Sequence, residues 1–211
     1  MSVEKTVCIV DLGIQNILSV ENAFRTIGAD VQIITTPDQI EQAQFLVLPG
    51  VGAYSAAMEK MRNAGHDLAI RRHALDKKKP LLGLCLGMQL LADSSEEFGT
   101  SKGLGLIRGK VVRLADQPPQ FRVPNIGWRD VKNTGNSRLL GKLQKPLAFY
   151  HVHSFHFECD DPLDVAGTSM FGQRDITSIV HKANIFGAQF HPEKSQDAGL
   201  DLLHAVLHTL T

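Results

Sequence analysis

The chain has 211 residues, 43% hydrophobic and 21% charged, and its 22 Lys and Arg cancel its 22 Asp and Glu, which suits one soluble domain spanning 1–211. Zero net charge leaves no electrostatic footprint for nucleic acid. No apolar run reaches the roughly 18 residues of a membrane span, and the first apolar stretch meets Asp11 too soon for a secretory signal. Three scattered cysteines, Cys8, Cys85 and Cys159, make no disulfide framework and suit a reducing cytoplasm. A net charge near zero also removes the repulsion that keeps monomers apart, which favours life in a complex.

In chain order, Thr6–Val10 reads as a buried strand ending at Asp11. Asn16 can cap a helix through Ile17, Val20, Phe24 and Ile27, stopped by Gly28. Strands follow at Val31–Ile34 and at Phe45–Leu48, the latter ended by Pro49-Gly50. The alanine-rich 53–78 stretch predicts helix with a break near Gly65. Pro80–Leu84 is a fourth strand and runs directly into a helical pattern over Leu86–Ala92. This alternation predicts a parallel sheet covered by helices. Beyond it, strands at 107–114, 147–152, 164–168, 175–181 and 185–190 have few helices between them, which predicts antiparallel pairing. The 115–124 stretch, with Pro118-Pro119, reads as loop, and helix 197–209 closes the chain. The fold class is therefore α/β: a central, mostly parallel sheet flanked by helices, with an antiparallel extension.

Gly83-Leu84-Cys85-Leu86-Gly87 is Gly-x-nucleophile-x-Gly at a strand-to-helix junction. Small glycines permit the tight turn that thrusts the central side chain out of the sheet. Unpaired N–H groups at the start of the following helix favour a thiolate, and the Leu86 N–H can donate to an oxyanion. The pentapeptide alone reads equally well as a buried core thiol. A cysteine nucleophile needs a base, and the base an orienting acceptor. Among nine histidines, His191 stands in Gln189-Phe-His-Pro-Glu-Lys194. In an extended segment Glu193 shares its face and can hold one ring nitrogen. Alone, this pair reads as a surface His and Glu; beside the cysteine elbow it reads as a base with its orienter. Leu48-Pro-Gly-Val-Gly-Ala53 ends the third strand, so its glycine turn lies at the same sheet edge as Cys85.

These three segments, Pro49-Gly-Val-Gly52, Gly83-Leu-Cys-Leu-Gly-Met-Gln-Leu-Leu91 and Gln189-Phe-His-Pro-Glu-Lys-Ser195, resemble the motifs of the triad (class I) glutamine amidotransferases in order and spacing. Val123-Pro-Asn-Ile-Gly-Trp128 and Val152-His-Ser154 are similar to its subfamily of imidazole glycerol phosphate synthase glutaminase subunits in histidine biosynthesis. The similarity runs from about Val7 to the C-terminal helix. It implies that Cys85 attacks the glutamine side-chain amide, that His191 carries the proton to ammonia, and that Glu193 orients His191. It further implies oxyanion donors at Leu86 and in the Val51–Gly52 loop, and a glutamine pocket lined by Gln89, Glu97, Ser154 and Phe155. The resemblance also implies a (β/α)8-barrel cyclase partner that receives the ammonia, contacts to it through Asn125, Trp128 and Lys194, and neither metal nor other cofactor. Departures are Asp11-Leu-Gly-Ile-Gln-Asn16 for the usual Asp-Tyr-Gly-x-Gly-Asn, and Asn125 where relatives commonly carry His or Gln. Subunits that supply ammonia for surface-sugar amidation, and cysteine peptidases on the same scaffold, are the competing readings.

Two further clusters weigh less. His151 and His153 share a strand face near Cys159, but His156 points away, too few convergent ligands for zinc. His153 is expected to pack below the substrate site with the other two half-exposed. Cys8 and Cys159 lack elbow geometry and read as structural. Lys77-Lys78-Lys79 reads as electrostatic capping of a helix C-terminus.

Overall fold

The computed structural model of the chain describes residues 5–13, 17–116, 121–137, 139–143 and 147–210. Asn16 and the Pro118-Pro119 pair fall outside the described residues.

The first half is built from β1 (Thr6–Val10), α1 (Ile17–Thr26), β2 (Asp30–Ile34), α2 (Pro37–Gln42), β3 (Phe45–Gly50), α3 (Tyr54–Asn63), α4 (His66–Arg71), β4 (Leu81–Cys85) and α5 (Leu86–Gln89). The remainder adds β5 (Ser94–Ser95), β6 (Ser101–Lys102), β7 (Gly109–Arg113), β8 (Asn125–Asn133), β9 (Ala148–His153), β10 (Phe155–Cys159), β11 (Val165–Phe171), β12 (Arg174–Lys182), β13 (Ile185–Ala188) and α6 (Gln196–Thr209).

Nine strands form one sheet in the order β2-β1-β3-β4-β13-β12-β11-β8-β9. It is parallel from β2 through β13. From β13 through β12, β11 and β8 to β9 it is antiparallel, the extension predicted for the second half. Alternation along the parallel strands feeds two cores. Cys8, Val10, Leu46, Leu48 and Leu81 meet α3, α4 and α5 on one face; Val7, Ile9, Phe45, Val47, Leu82 and Leu84 meet α1 and α6 on the other. Strands covered on both faces read as continuous apolar runs, which is why these were visible in the sequence. A smaller sheet, β10-β7-β5-β6, contributes Val111 and Phe157 to the first core.

The helix expected over 53–78 breaks at Gly65, which sits at φ 72° between α3 and α4. Lys77 and Lys79 do cap a helix C-terminus, but that of α2: Lys77 Nζ donates to the Glu41 carbonyl at 2.9 Å and Lys79 Nζ to that of Ala43 at 2.9 Å. The helix expected over 86–92 stops after a single turn. The carbonyls of Leu90, Ala92 and Leu91 turn to the N–H groups of Leu104, Gly105 and Leu106 in place of later helical residues. Strand β8 escaped the sequence reading because Ile126 and Trp128 point outward, at 53% and 45% exposure, and Val131 is its one buried apolar side chain, while polar Asn125 is buried.

Candidate functional site

A cleft of about 400 Å³ opens at the carboxyl ends of β3 and β4 and brings together Val51, Gly52, Cys85, Leu86, Gln89, Glu97, Ser154, Phe155, His191 and Lys194, with Pro124, Val152 and His153. The positions singled out from the sequence thus share one wall system or, as Glu193 does, flank it; Trp128 and Asn125 lie elsewhere on β8.

Cys85 ends β4 at φ 54°, a conformation a side chain rarely adopts, and α5 starts at the next residue. Such backbone strain costs about 1–3 kcal/mol and persists only where neighbours enforce it. The neighbours are glycines. A Cβ on Gly83 would come within 2.7 Å of the Gly87 carbonyl, one on Gly50 within 2.8 Å of the Gly87 nitrogen, and one on Gly87 would overlap the Leu48 carbonyl. The spacing Gly-x-Cys-x-Gly is therefore a steric requirement of two strands and a helix start converging on the sulfur. α5 is a single turn, so it offers its first N–H groups at Cys85 and not the dipole of a long helix.

His191 is placed by long-range contacts. Its N–H donates to the Tyr150 carbonyl at 2.9 Å, while Ser195 Oγ donates to the His191 carbonyl at 2.6 Å and accepts from the Tyr150 N–H at 3.0 Å. Residues Pro192–Lys194 form a 3-10 turn, not the extended segment expected. The turn still brings His191 Nδ1 to 2.7 Å from Glu193 Oε1, with both side chains nearly enclosed. Burial alone would lower the His191 pKa, but hydrogen bonds and charge interactions with Cys85 and Glu193 outweigh it and push it up to about 10. Thus the imidazole lies between the Cys85 sulfur and a carboxylate, and its protonated form is favoured. A thiol, an imidazole and a carboxylate stand in sequence, an arrangement capable of nucleophilic attack on an amide.

The rest of the cleft is polar and directional. Gln89 Nε2 donates to the Phe155 carbonyl and to Gln189 Oε1, each at 3.0 Å. Gln189 Nε2 lies 3.9 Å from Cys85 Sγ, a donor to sulfur. Glu97 Oε2 accepts the Tyr54 N–H at 2.7 Å, at the first turn of α3. The Ser154 carbonyl accepts from the Leu114 N–H at 2.9 Å, so the bend between β9 and β10 is pinned. Gly52, at φ 97°, takes a backbone conformation that glycine tolerates and most residues do not.

Two further expectations need correction. Asn125, expected on the partner face, is fully buried, because β8 turns it inward against His153 and Arg129. His151, expected half-exposed, is fully buried, held by the Phe149 carbonyl at 3.0 Å. Gln189 stands in a motif whose chemistry falls on His191 and Glu193, and its own contact with the sulfur went unforeseen; a lone amide in the apolar run Ile185–Phe190 was the signal that could have marked it. Trp128 is exposed as expected. Among the described residues no cluster of His, Cys, Asp or Glu could hold a metal ion, and no helix is long and apolar enough to cross a membrane.

Comparison with known proteins decides the family: the model for "Glutamine amidotransferase class-I" matches residues 8–207. The chain belongs to the class-I glutamine amidotransferases. It is an enzyme of that family, a glutaminase in its chemistry. It is 43% identical over 202 residues to imidazole glycerol phosphate synthase subunit HisH 2 of Nitrobacter winogradskyi, covering 93% of this chain and 95% of the relative. It is 44% identical over 199 residues to subunit HisH of Sulfurimonas denitrificans, with the same coverage. Among solved structures, PurLQS from Thermotoga maritima superposes with a TM-score of 0.70 at 18% identity, over 99% of this chain and 100% of that one. A glutamine amidotransferase from the same organism gives 0.68 at 18% identity, over 99% and 98%. At such identities the structural likeness speaks for the amidotransferase fold alone.

Proposed function

We propose that this class-I amidotransferase is the glutaminase subunit of an imidazole glycerol phosphate synthase, with its single domain of residues 1–211 docked on a (β/α)8-barrel cyclase. The observation that carries the reading is His191 held between Cys85 and Glu193 at the cleft. The two HisH relatives at 43% and 44% identity support the pathway.

In this mechanism the Cys85 thiolate attacks the side-chain carbonyl carbon of glutamine. The oxygen becomes an oxyanion, met by the Leu86 N–H and by an N–H of the Val51–Gly52 loop. His191 delivers its proton to the leaving nitrogen, so ammonia departs and a thioester remains. His191 then takes a proton from water, whose oxygen attacks the thioester carbon; glutamate leaves and the thiolate is restored. Gln89, Glu97, Ser154 and Phe155 hold the amino-acid end of the substrate. Ammonia passes to the cyclase, where it reacts with a phosphoribulosyl formimino ribonucleotide to give imidazole glycerol phosphate and aminoimidazole carboxamide ribotide.

The docking face is the outer side of β8 and β9. Ile126 pairs with Val152 and Trp128 with Tyr150 across the strands, and Ile126, Trp128 and Val152 are 53%, 45% and 37% exposed. A contiguous exposed apolar patch with a Trp at its centre is a common interface signature. Val152 also lines the cleft, as does exposed Lys194, so the patch and the chemistry adjoin.

Glutamate release is measured from the chain alone, with the barrel protein, and with barrel plus nucleotide substrate. The expected outcome is slow turnover alone and activation by orders of magnitude in the full assembly. The gate is the Val51–Gly52 peptide, whose N–H turns toward the oxyanion when the partner is loaded; one such donor is worth about 10²–10³ in rate. Full turnover by the isolated chain would defeat both the gate and the pathway assignment. Co-purification with a sugar-modifying synthase instead of the cyclase would move it to the other pathway, and peptide cleavage without glutamine hydrolysis would make it a peptidase.

A further inference from the structure

Asn125 lies behind the cleft, not on it, yet its hydrogen bonds admit one arrangement only. Arg129 Nε lies 3.1 Å from Asn125 Oδ1, and a guanidinium only donates. The amide is thereby fixed with its oxygen toward Arg129 and its nitrogen toward His153. Asn125 Nδ2, also only a donor, lies 3.0 Å from His153 Nε2, so that ring nitrogen must be bare. The ring proton is then on Nδ1, which donates to the Phe155 carbonyl at 2.8 Å. The same carbonyl accepts from Gln89 Nε2 at 3.0 Å, and Gln89 shares that nitrogen with Gln189, the amide that reaches Cys85 Sγ. Two directed chains of hydrogen bonds therefore meet on one carbonyl: one from Arg129 on β8, the other ending at the nucleophile.

We propose that Asn125 is a positioning residue for the glutaminase site: by donating to the bare Nε2 of His153 it holds the ring in the Nδ1–H form from which the Phe155 carbonyl accepts, and through that carbonyl it sets Gln89 and the 154–155 wall of the glutamine pocket. Asn125 touches neither substrate nor the reacting atoms; it acts through His153. This rests on the glutaminase reading above for its substrate. The ring faces His151 at a centroid distance of 5.6 Å. Burial, followed by the charges of His151, His156 and His191, keeps it neutral, with its pKa pushed down to about 3. A neutral ring must choose one nitrogen for its proton, and among the described residues Asn125 and the Phe155 carbonyl are the groups bonded to those nitrogens. Buried polar chains of this kind specify one arrangement because each misplaced proton leaves a donor facing a donor.

Asn125→Asp is nearly isosteric but turns the donor into an acceptor, so His153 must carry a proton at Nε2, gained from water or surrendered from Nδ1. Nitrogen NMR of the full chain reads this directly: wild type with bare Nε2, the variant with protonated Nε2. The KM for glutamine is expected to rise about five- to tenfold, the scale of one buried hydrogen bond lost. Alkylation of Cys85 by iodoacetamide should stay within about twofold. Arg129→Met removes the donor that fixes the amide, so the Asn125–His153 hydrogen bond should weaken and the Nε2 shift should move while Nδ1 keeps its proton against the Phe155 carbonyl, with a smaller KM rise. This change at half-buried Arg129 carries the test if Asn125→Asp does not fold. Unchanged nitrogen shifts, an unchanged KM, or parallel losses of KM, alkylation rate and melting temperature would each overturn the proposal. A wild type that hydrolyses glutamine with Nε2 protonated overturns it alone. A wild type with bare Nε2 that does not hydrolyse glutamine overturns the glutaminase reading and the substrate half of this one.

Discussion

The two walls of the cleft are made in different ways. The wall of residues 50–52 and 85–89 rises from neighbouring parallel strands and is shaped by backbone: glycines at 50, 83 and 87 let chains approach where any Cβ would collide. The facing wall, residues 152–155 with His191, rises from antiparallel strands and a turn, and is shaped by side-chain hydrogen bonds that reach across the sequence, from Ser195 to Tyr150 and from Asn125 to His153. A backbone wall presents the sulfur and N–H donors rigidly. A side-chain wall can be reset by one proton or one rotamer, which is where coupling to a partner is most easily built.

The largest effect that sharpens this contrast is at the backbone wall. Cys85→Ala should abolish glutamate release while leaving synthesis from added ammonium salts intact in the complex; any residual glutamine hydrolysis would remove Cys85 from its role. Cys8→Ser and Cys159→Ser should retain the chemistry. Next comes the base: His191→Asn should slow thioester formation by about 10²–10⁴, the span of general acid–base catalysis, in single-turnover assays. Glu193→Gln should cost less, because an amide oxygen can still accept from Nδ1; equal and negligible losses in both variants would end the triad assignment.

Gly52→Ala tests the gate. No atom lies within 4 Å of the added Cβ, but φ 97° disfavours it, so the peptide should settle in another orientation. Activated turnover should fall further than basal turnover, by up to about 10²; equal losses would show that the loop does not gate. Trp128→Ala on β8 should leave the melting temperature nearly unchanged but weaken the complex by about thirtyfold or more, as central aromatic anchors do. Unaltered titration against the barrel protein would remove that face from the interface.

The smallest effect concerns pH. In the fold the His191 pKa is raised to about 10, against roughly 6.5 for an unfolded imidazole. Its contribution to stability is therefore fully present below about pH 6.5 and is lost as pH rises toward 10. Cys85→Ala removes part of what raises the pKa, so urea midpoints measured at pH 7, 8.5 and 10 should fall less steeply than in wild type. Identical slopes would mean that Cys85 and His191 are not coupled.

The sequence by itself determined the parallel half, since strands buried on both faces are continuous apolar runs, and it determined the nucleophile elbow, since only glycine fits where β3, β4 and α5 converge. His191 and Glu193 were legible as a motif, although their contact comes from a 3-10 turn and not from strand alternation. The tertiary structure alone decided β8, whose outward Ile126 and Trp128 and inward Asn125 invert the usual pattern. It also decided the length of α5, cut short where the 104–106 segment takes the carbonyls of the residues just after it, and the partners of Asn125, His153 and Gln189. The physical reason is range. Steric demands and apolar periodicity act between residues close in the chain and leave their mark in local spacing. The direction of a buried hydrogen bond depends on which donor arrives from elsewhere, and here Gln189 approaches Cys85 from 104 positions away.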